Sequence, residues 1–298
     1  MVSPVGQPPV AMTIAGSDSG AGAGIQADIK TMGALGVFAT TVVTTVTAQS
    51  TATVAEVHHL PPALVDAQIA TVLDDLPVRA VKTGLLGTPD IIEVVGRRAA
   101  RGDLPRLVVD PVMVASTGRI FLVEEGIEAY RTHLLPRALI ATPNLWEAAL
   151  LAHLSPTGVE DVGAMADLAR RIHELGPTWV LVKGGHLPGV ESHPGGAPPD
   201  QVADVLFDGT TMTVLTGGHV DTRNTHGTGC SLSAAIAAYL AHGSDVPTAV
   251  SGAKEFVLGA LRGGARWRLG QGHGPLNHLG WTGEPPPGIT APVPTPPS

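Results

Sequence analysis

The sequence predicts an α/β protein, a central and mostly parallel sheet layered between helices. Three observations carry that expectation. Strand-length apolar runs alternate with helical periodicities along nearly the whole chain, and such alternation implies right-handed βαβ units with both sheet faces covered. The chain has 298 residues, 44% of them hydrophobic and 15% charged, enough for one large core or two smaller ones. Aromatics are only 3%, so the core must be built from Val, Leu, Ile and Ala.

Each element follows from its local pattern. Residues 11–15 (AMTIA) read as a short buried strand, and Ile25 to Leu35 as an amphipathic helix. Thr40 to Ala48 is rich in Thr and Val, residues that suit a pleated surface, and reads as a strand. Pro62 to Leu73 opens with proline in a first helical turn, and Arg79 to Lys82 is a buried strand. A helix from Asp90 to Ala100 precedes strands at Leu107 to Asp110 and Ala138 to Ala141. Between those strands, the charged face around Glu124 to Arg131 reads as solvated helix surface. Helices at Leu145 to Ala152 and Ala164 to Leu175 lead to the strand Trp179 to Lys183. Val202 to Leu206 and Met212 to Leu215 flank Asp208-Gly209, a strong hairpin signal. The last strongly apolar helical pattern runs from Ser231 to Leu240.

The domain expected from this pattern covers residues 11–282, preceded by a short extension at 1–10. The segment 283–298 is dominated by proline, has little to bury, and is excluded from the fold as a disordered tail. The Pro/Gly-rich stretch near 188–201 reads as a mobile surface loop. A net charge of −8 with no clustered basic face argues against a nucleic-acid partner. One cysteine rules out an internal disulfide framework and suits a reducing cytosol. No secretory signal or spanning apolar run is visible, so a cytoplasmic protein without a membrane partner is expected.

The polar residues of interest collect just after the proposed parallel strands, where open α/β sheets bind ligands. Gly16 to Gly24 follows the first strand and Gln49-Ser50 the second. Lys82-Thr83-Gly84, Asp110-Pro111-Val112, Thr142-Pro143-Asn144 and Lys183-Gly184-Gly185 follow later ones. Six such coincidences in register with the strands point to an enzyme. Gly22-x-Gly24-x-x-Ala27 formally matches a dinucleotide fingerprint, but its turn is too long. The acidic residue expected at the end of the second strand is also missing, since after Asp28 the next carboxylate is Glu56. A nicotinamide oxidoreductase and a non-catalytic small-molecule binder stay as alternatives. The histidines form no zinc pattern, and no G-x-S-x-G serine supports hydrolase chemistry.

The segment Asn224-Thr-His-Gly-Thr-Gly-Cys230 is the most informative in the chain. Glycines 227 and 229 leave backbone N–H groups able to face an anion at a helix N-terminus, where the helix carries partial positive charge. Cys230 falls in that helix's first turn, a position that typically lowers a thiol pKa. An anion hole beside a polarised thiol suits phosphoryl transfer with a proton acceptor at hand. Because no G-x-x-x-x-G-K-[ST] loop occurs, phosphates must be held by this segment instead, with His226 placed to donate to one. Lys183 at a strand end supplies a point charge. Asn144 and Glu147 share one face at a helix start, and their spacing equally fits a capping box.

Thr225-His-Gly-Thr-Gly-Cys230 resembles the anion-hole signature of the ribokinase-like kinases, in the branch that phosphorylates hydroxymethylpyrimidine and its phosphate for thiamine synthesis. The resemblance runs from about Met12 to Trp281, and it implies a three-layer ribokinase-like sandwich. It implies Cys230 as the base, with Gly227, Thr228 and Gly229 stabilising the transferred phosphoryl group. Lys183, Thr225 and His226 would contact ATP phosphates, and Asp110, Asn144 and Glu147 would position Mg²⁺. Gly16, Ala23, Asp28, Gln49, Leu85 and Val112 would line the substrate pocket, with Gln49 reading the aminopyrimidine edge. The resemblance also implies a homodimer, leaves monovalent-cation dependence open, and keeps pyridoxal kinase as the alternative activity. Ser19 and Ala21 stand where proline and glycine are frequent in relatives, and Ala21 puts a Cβ where the backbone could need a positive φ.

Overall fold

A computed structural model describes residues 6–113, 124–155, 161–185 and 201–282. The 188–200 part of the Pro/Gly-rich stretch and the segment 283–298 lie outside the described residues, as does the start of the 1–10 extension.

Among the described residues, nine strands form one sheet in the order β3-β2-β1-β4-β5-β6-β7-β8-β9. The parallel block consists of β1 (Val10–Asp18), β2 (Phe38–Gln49), β4 (Val78–Thr83), β5 (Val108–Val109), β6 (Ile140–Ala141) and β7 (Trp179–Lys183). Antiparallel strands border it: β3 (Val54–His59) on β2, and the hairpin β8 (Gln201–Phe207) and β9 (Met212–Gly218) on β7. Because the central strands run parallel, their carboxyl ends share one edge. The chain departs from β1 in both directions across the sheet, which opens a crevice at that edge.

Strand alternation separates the two cores. Met12, Ile14, Val81, Val109 and Val182 face one layer, built from α2 (Pro62–Asp75), α3 (Pro89–Ala100), α5 (Leu145–Leu151) and α6 (Val162–His173). A short α4 (Glu124–Ala129), continued by a π-helical turn at Tyr130–Leu134, joins that layer. Ala11, Ala80, Val108 and Leu181 face the opposite layer of α1 (Gly24–Ala34), α7 (Thr228–His242) and α8 (Val246–Gly264). The alanines at 234, 235, 237, 238 and 241 let α7 press closely on the sheet and on α8.

Most predicted elements are present within a few residues, and Trp179–Lys183 matches end for end. Two elements fall outside the pattern read from sequence. β3 is a largely exposed edge strand without a continuous apolar face. α8 carries its own start signal, since Asp245 accepts a hydrogen bond from the Thr248 amide at 2.9 Å and Pro247 sits in the first turn.

Candidate active site

A pocket of about 250 Å³ opens at the carboxyl edge of the parallel strands. Of the residues to which the resemblance gives a role, all but Asp28 line it. Gly16 and Ala23 come from the turn after β1, Gln49 from the end of β2, and Leu85 from the turn after β4. Asp110 and Val112 follow β5, while Asn144 and Glu147 open α5. Lys183 closes β7, and residues 225–230 lead into α7.

Asp28 belongs to the core instead. It is fully buried, with Lys82 Nζ at 2.8 and 3.0 Å from its two carboxylate oxygens and the Thr13 hydroxyl donating at 2.6 Å. On α1, position 28 faces the sheet, and an unpaired carboxylate there would be prohibitive, so Lys82 answers it from β4. Burial alone would lower the Lys82 pKa, but Asp28, Cys230 and Asp110 together hold it above the usual lysine range.

Gly227 caps α7 in the left-handed region at φ 87°, and a Cβ there would lie 1.9 Å from the carbonyl oxygen of Gly22. A Cβ on Gly22 would in turn meet the His226 ring at 2.3 Å. Only glycines allow the two loops this approach. The Thr228 amide is already committed to the Thr225 carbonyl at 3.2 Å, so the Gly227, Gly229 and Cys230 amides are the ones placed to meet an anion.

Cys230 does sit in the first turn of α7, but its thiol is not lowered. Burial pushes it up to about 11, against the opposing pull of Lys82 and of the Gly24 amide. Desolvation outweighs the helix terminus here. At neutral pH the group is a thiol, with Lys82 and the Gly24 N–H ready to stabilise the anion.

His226 also departs from expectation. Its Nε2 lies 2.9 Å from Asp18 Oδ2 and 3.3 Å from the Gln49 amide, so it is tied to the substrate-side loop rather than presented to a phosphate. Asp18 is the residue that sequence reasoning passed over. An aspartate in a glycine turn after the first strand was the available signal. Its carboxylate accepts the amides of Gly20, Gly22 and Ala23 at 2.8, 3.1 and 2.9 Å. Burial would raise its pKa, but the bonds from His226 and Ala23 outweigh it and hold the carboxyl below the usual range. Ala21 adopts φ 59°, the left-handed conformation expected where relatives place glycine.

Asp110 is buried and accepts Lys183 Nζ at 2.7 Å, the Ser233 hydroxyl at 3.1 Å and the Thr142 hydroxyl at 3.3 Å. Glu147 and Asn144 form a complete capping box, with both reciprocal bonds at 2.8 Å. Burial raises Glu147 to about 7, with Lys183 opposing and Asp110 adding to the rise. Capping does not empty the site, since both residues still line the pocket. Among the described residues, no three His, Cys, Asp or Glu side chains form a cage that would hold an ion alone. Two carboxylates at a pocket wall suit Mg²⁺, which keeps several waters and binds mainly through substrate phosphates.

A second cleft of about 920 Å³ continues from the pocket, sharing Asn144, Lys183, Thr225, Thr228 and Gly229 with it. It runs between β9 and α8 over Gly217, Leu258 and Leu261. The site therefore has a small chamber and a long apolar one, joined at a cationic, glycine-framed neck.

A model of the phosphomethylpyrimidine kinase family matches residues 18–277. The chain belongs to this family. The kinase is 45% identical over 274 residues to a hydroxymethylpyrimidine/phosphomethylpyrimidine kinase of Streptomyces coelicolor, covering 92% of this chain and 95% of that one. It is 44% identical over 272 residues to a chloroplastic thiamine biosynthetic bifunctional enzyme of Arabidopsis thaliana, covering 91% of this chain and 50% of the plant protein. Among solved structures it resembles the ADP complex of Bacillus subtilis pyridoxal kinase, with 37% identity and a TM-score of 0.79 over 91% of this chain and 98% of that one. The fold is the ribokinase-like one that the sequence implied. Among the described residues, no helix of the kinase is long and apolar enough to cross a membrane.

Proposed function

We propose that this kinase transfers the γ-phosphoryl group of ATP to 4-amino-5-hydroxymethyl-2-methylpyrimidine and then to the resulting monophosphate, in thiamine biosynthesis. One observation carries the reading: Gln49 faces the small chamber whose other wall holds Cys230 and the glycine-framed start of α7. A carboxamide offers a donor and an acceptor side by side, matching a ring nitrogen next to an exocyclic amine. A small heteroaromatic alcohol fits the 250 Å³ chamber, and the longer cleft suits a nucleotide with its phosphates at the shared neck.

The substrate hydroxyl oxygen forms a bond to the γ-phosphorus as the bond to the bridging oxygen of the β-phosphate breaks, and ADP leaves. Cys230 in its thiolate form takes the hydroxyl proton. The Gly229 and Cys230 amides and the Lys183 ammonium meet charge developing on the transferred group. In the second round a phosphate oxygen of the monophosphate attacks another ATP. Mg²⁺ entering with ATP would be held near Asp110, Asn144 and Glu147, where it neutralises phosphate charge. The enzyme acts in the cytoplasm as a homodimer, a reading that the exposed apolar residues Phe38 and Val46 on β2 favour.

ATP turnover with hydroxymethylpyrimidine, its phosphate and pyridoxal, measured side by side, tests the proposal. Pyridoxal lacks the aminopyrimidine edge, so kcat/KM should favour hydroxymethylpyrimidine at least about tenfold, and Gln49→Leu should lose most of that preference. Preference of the wild type for pyridoxal would move the enzyme to vitamin B6 salvage, the reading that the pyridoxal kinase neighbours favour.

A further inference from the structure

The side chains around Gln49 leave its amide only one consistent direction. Asp18 accepts three backbone amides, and its Oδ2 also lies 2.9 Å from His226 Nε2. A carboxylate so surrounded by donors is purely an acceptor, so His226 must carry a proton on Nε2 and give it to Asp18. The Gln49 amide contacts the same Nε2 at 3.3 Å with one end, and Thr47 Oγ1 at 3.3 Å with the other. The Thr47 hydroxyl lies 3.0 Å from the Ser17 carbonyl and 3.3 Å from the Gln49 amide, and its single proton is assigned to the nearer carbonyl, which has no proton of its own to give. Toward Gln49, then, His226 presents no lone pair, only the flank of the N–H that it gives to Asp18, and Thr47 presents only a lone pair.

The structure sets Gln49 Nε2 toward His226 and Oε1 toward Thr47, and with that setting two donors oppose each other at 3.3 Å. The opposite setting removes that opposition: the amide oxygen accepts the weaker branch of the His226 Nε2–H shared with Asp18, and an amide N–H goes to Thr47. The two ends of a carboxamide have the same shape, so only such a network decides between them. Ser19 fixes the backbone beneath, donating its hydroxyl to the Gln49 carbonyl at 2.9 Å and accepting the Gln49 amide at 2.7 Å. Gln49 is left with one lone pair and one N–H for a ligand in the chamber it lines.

We propose that His226 is a positioning residue for substrate discrimination: held by Asp18, it locks the direction of the Gln49 amide and so sets which donor–acceptor edge the pocket accepts. The inference rests on the substrate reading above and deepens it. It also assigns His226 a task on the substrate side of the site, away from the phosphates.

The test compares hydroxymethylpyrimidine with its 4-oxo analogue, in which a carbonyl replaces the amine and the adjacent ring nitrogen is protonated. The analogue presents the reversed edge. With the amide locked, wild-type kcat/KM should favour the amine by about 10²-fold or more, since a mismatched polar site discriminates strongly. In His226→Leu the amide can turn at little cost, so the ratio should fall to within about fivefold. His226→Gln, which keeps an N–H at similar reach, should recover most of it. Thr47→Val releases the other end of the amide and should lower the ratio even if the histidine variants fold poorly. Equal losses on both substrates in His226→Leu and in Thr47→Val, with the ratio preserved, would reduce the network to a structural role and overturn the proposal. A wild type that phosphorylates pyridoxal but neither pyrimidine would overturn the substrate reading first, and the proposal with it.

Discussion

Replacing Glu147 by Gln should move stability and activity in opposite directions. The residue is buried, and its pKa rises from an ordinary 4.5 to about 7. Between those values the folded protein holds a proton that the unfolded chain has released, so stability falls as pH rises through that window and stays lower above it. The ionised carboxylate therefore costs up to about 3 kcal/mol at pH 8.5, and almost nothing near pH 4.5. Gln at this position can still accept the Asn144 amide and keep the capping box, so the loss of about 1 kcal/mol expected for a missing cap should not appear. Urea unfolding should show Glu147→Gln more stable than wild type at pH 8.5, with the difference shrinking toward pH 5. In a Mg²⁺ titration of ATP turnover, the variant should need severalfold more metal and reach a lower kcat. Equal destabilisation at both pH values with an unchanged Mg²⁺ requirement would refute the reasoning and leave Glu147 as a helix cap alone.

Cys230→Ala should lower kcat by about 10² or more with little change in ATP affinity, the signature of a lost proton acceptor. Because burial pushes the Cys230 thiol up to about 11, wild-type kcat should climb from neutral toward alkaline pH. Cys230→Asp should retain more activity than Ala and flatten that climb, and a pH profile identical for Cys and Asp would count against the thiolate. Lys82→Met should destabilise the protein by about 3–5 kcal/mol, because it strands the buried Asp28 carboxylate. The double variant Lys82→Met/Asp28→Leu should recover much of that loss in thermal unfolding, and a purely additive double would argue against the pair.

What the sequence discloses and conceals here follows from the range over which each interaction acts. Trp179–Lys183 is legible because five residues between turn signals decide it locally. β3 is not, because VAEVHH buries no continuous face and owes its pairing to β2. The strand-end loops are legible as a set, and they supply nearly all of the pocket wall. Asp28 misleads, because its surroundings depend on Lys82, 54 residues away on another strand. The place of Cys230 in its helix could be read from the flanking glycines, but the direction of its pKa depends on how much protein covers it. His226 looks like a phosphate donor by proximity to the glycines, and only the fold reveals Asp18, 208 positions earlier, as its partner.

The contact between Gly22 and Gly227 bears on how this enzyme could change its substrate over evolutionary time. Neither loop has room for a methyl group opposite the other, so the seam between them is closed to almost every single substitution. Reshaping the backbone that frames the transferred group would require simultaneous replacements in two distant stretches of gene. Side chains that project into the chamber from outside the seam, such as Gln49, Leu85 and Val112, can vary one at a time while the phosphate cradle stays intact. New specificities within this architecture should therefore arise by exchange of those few wall residues.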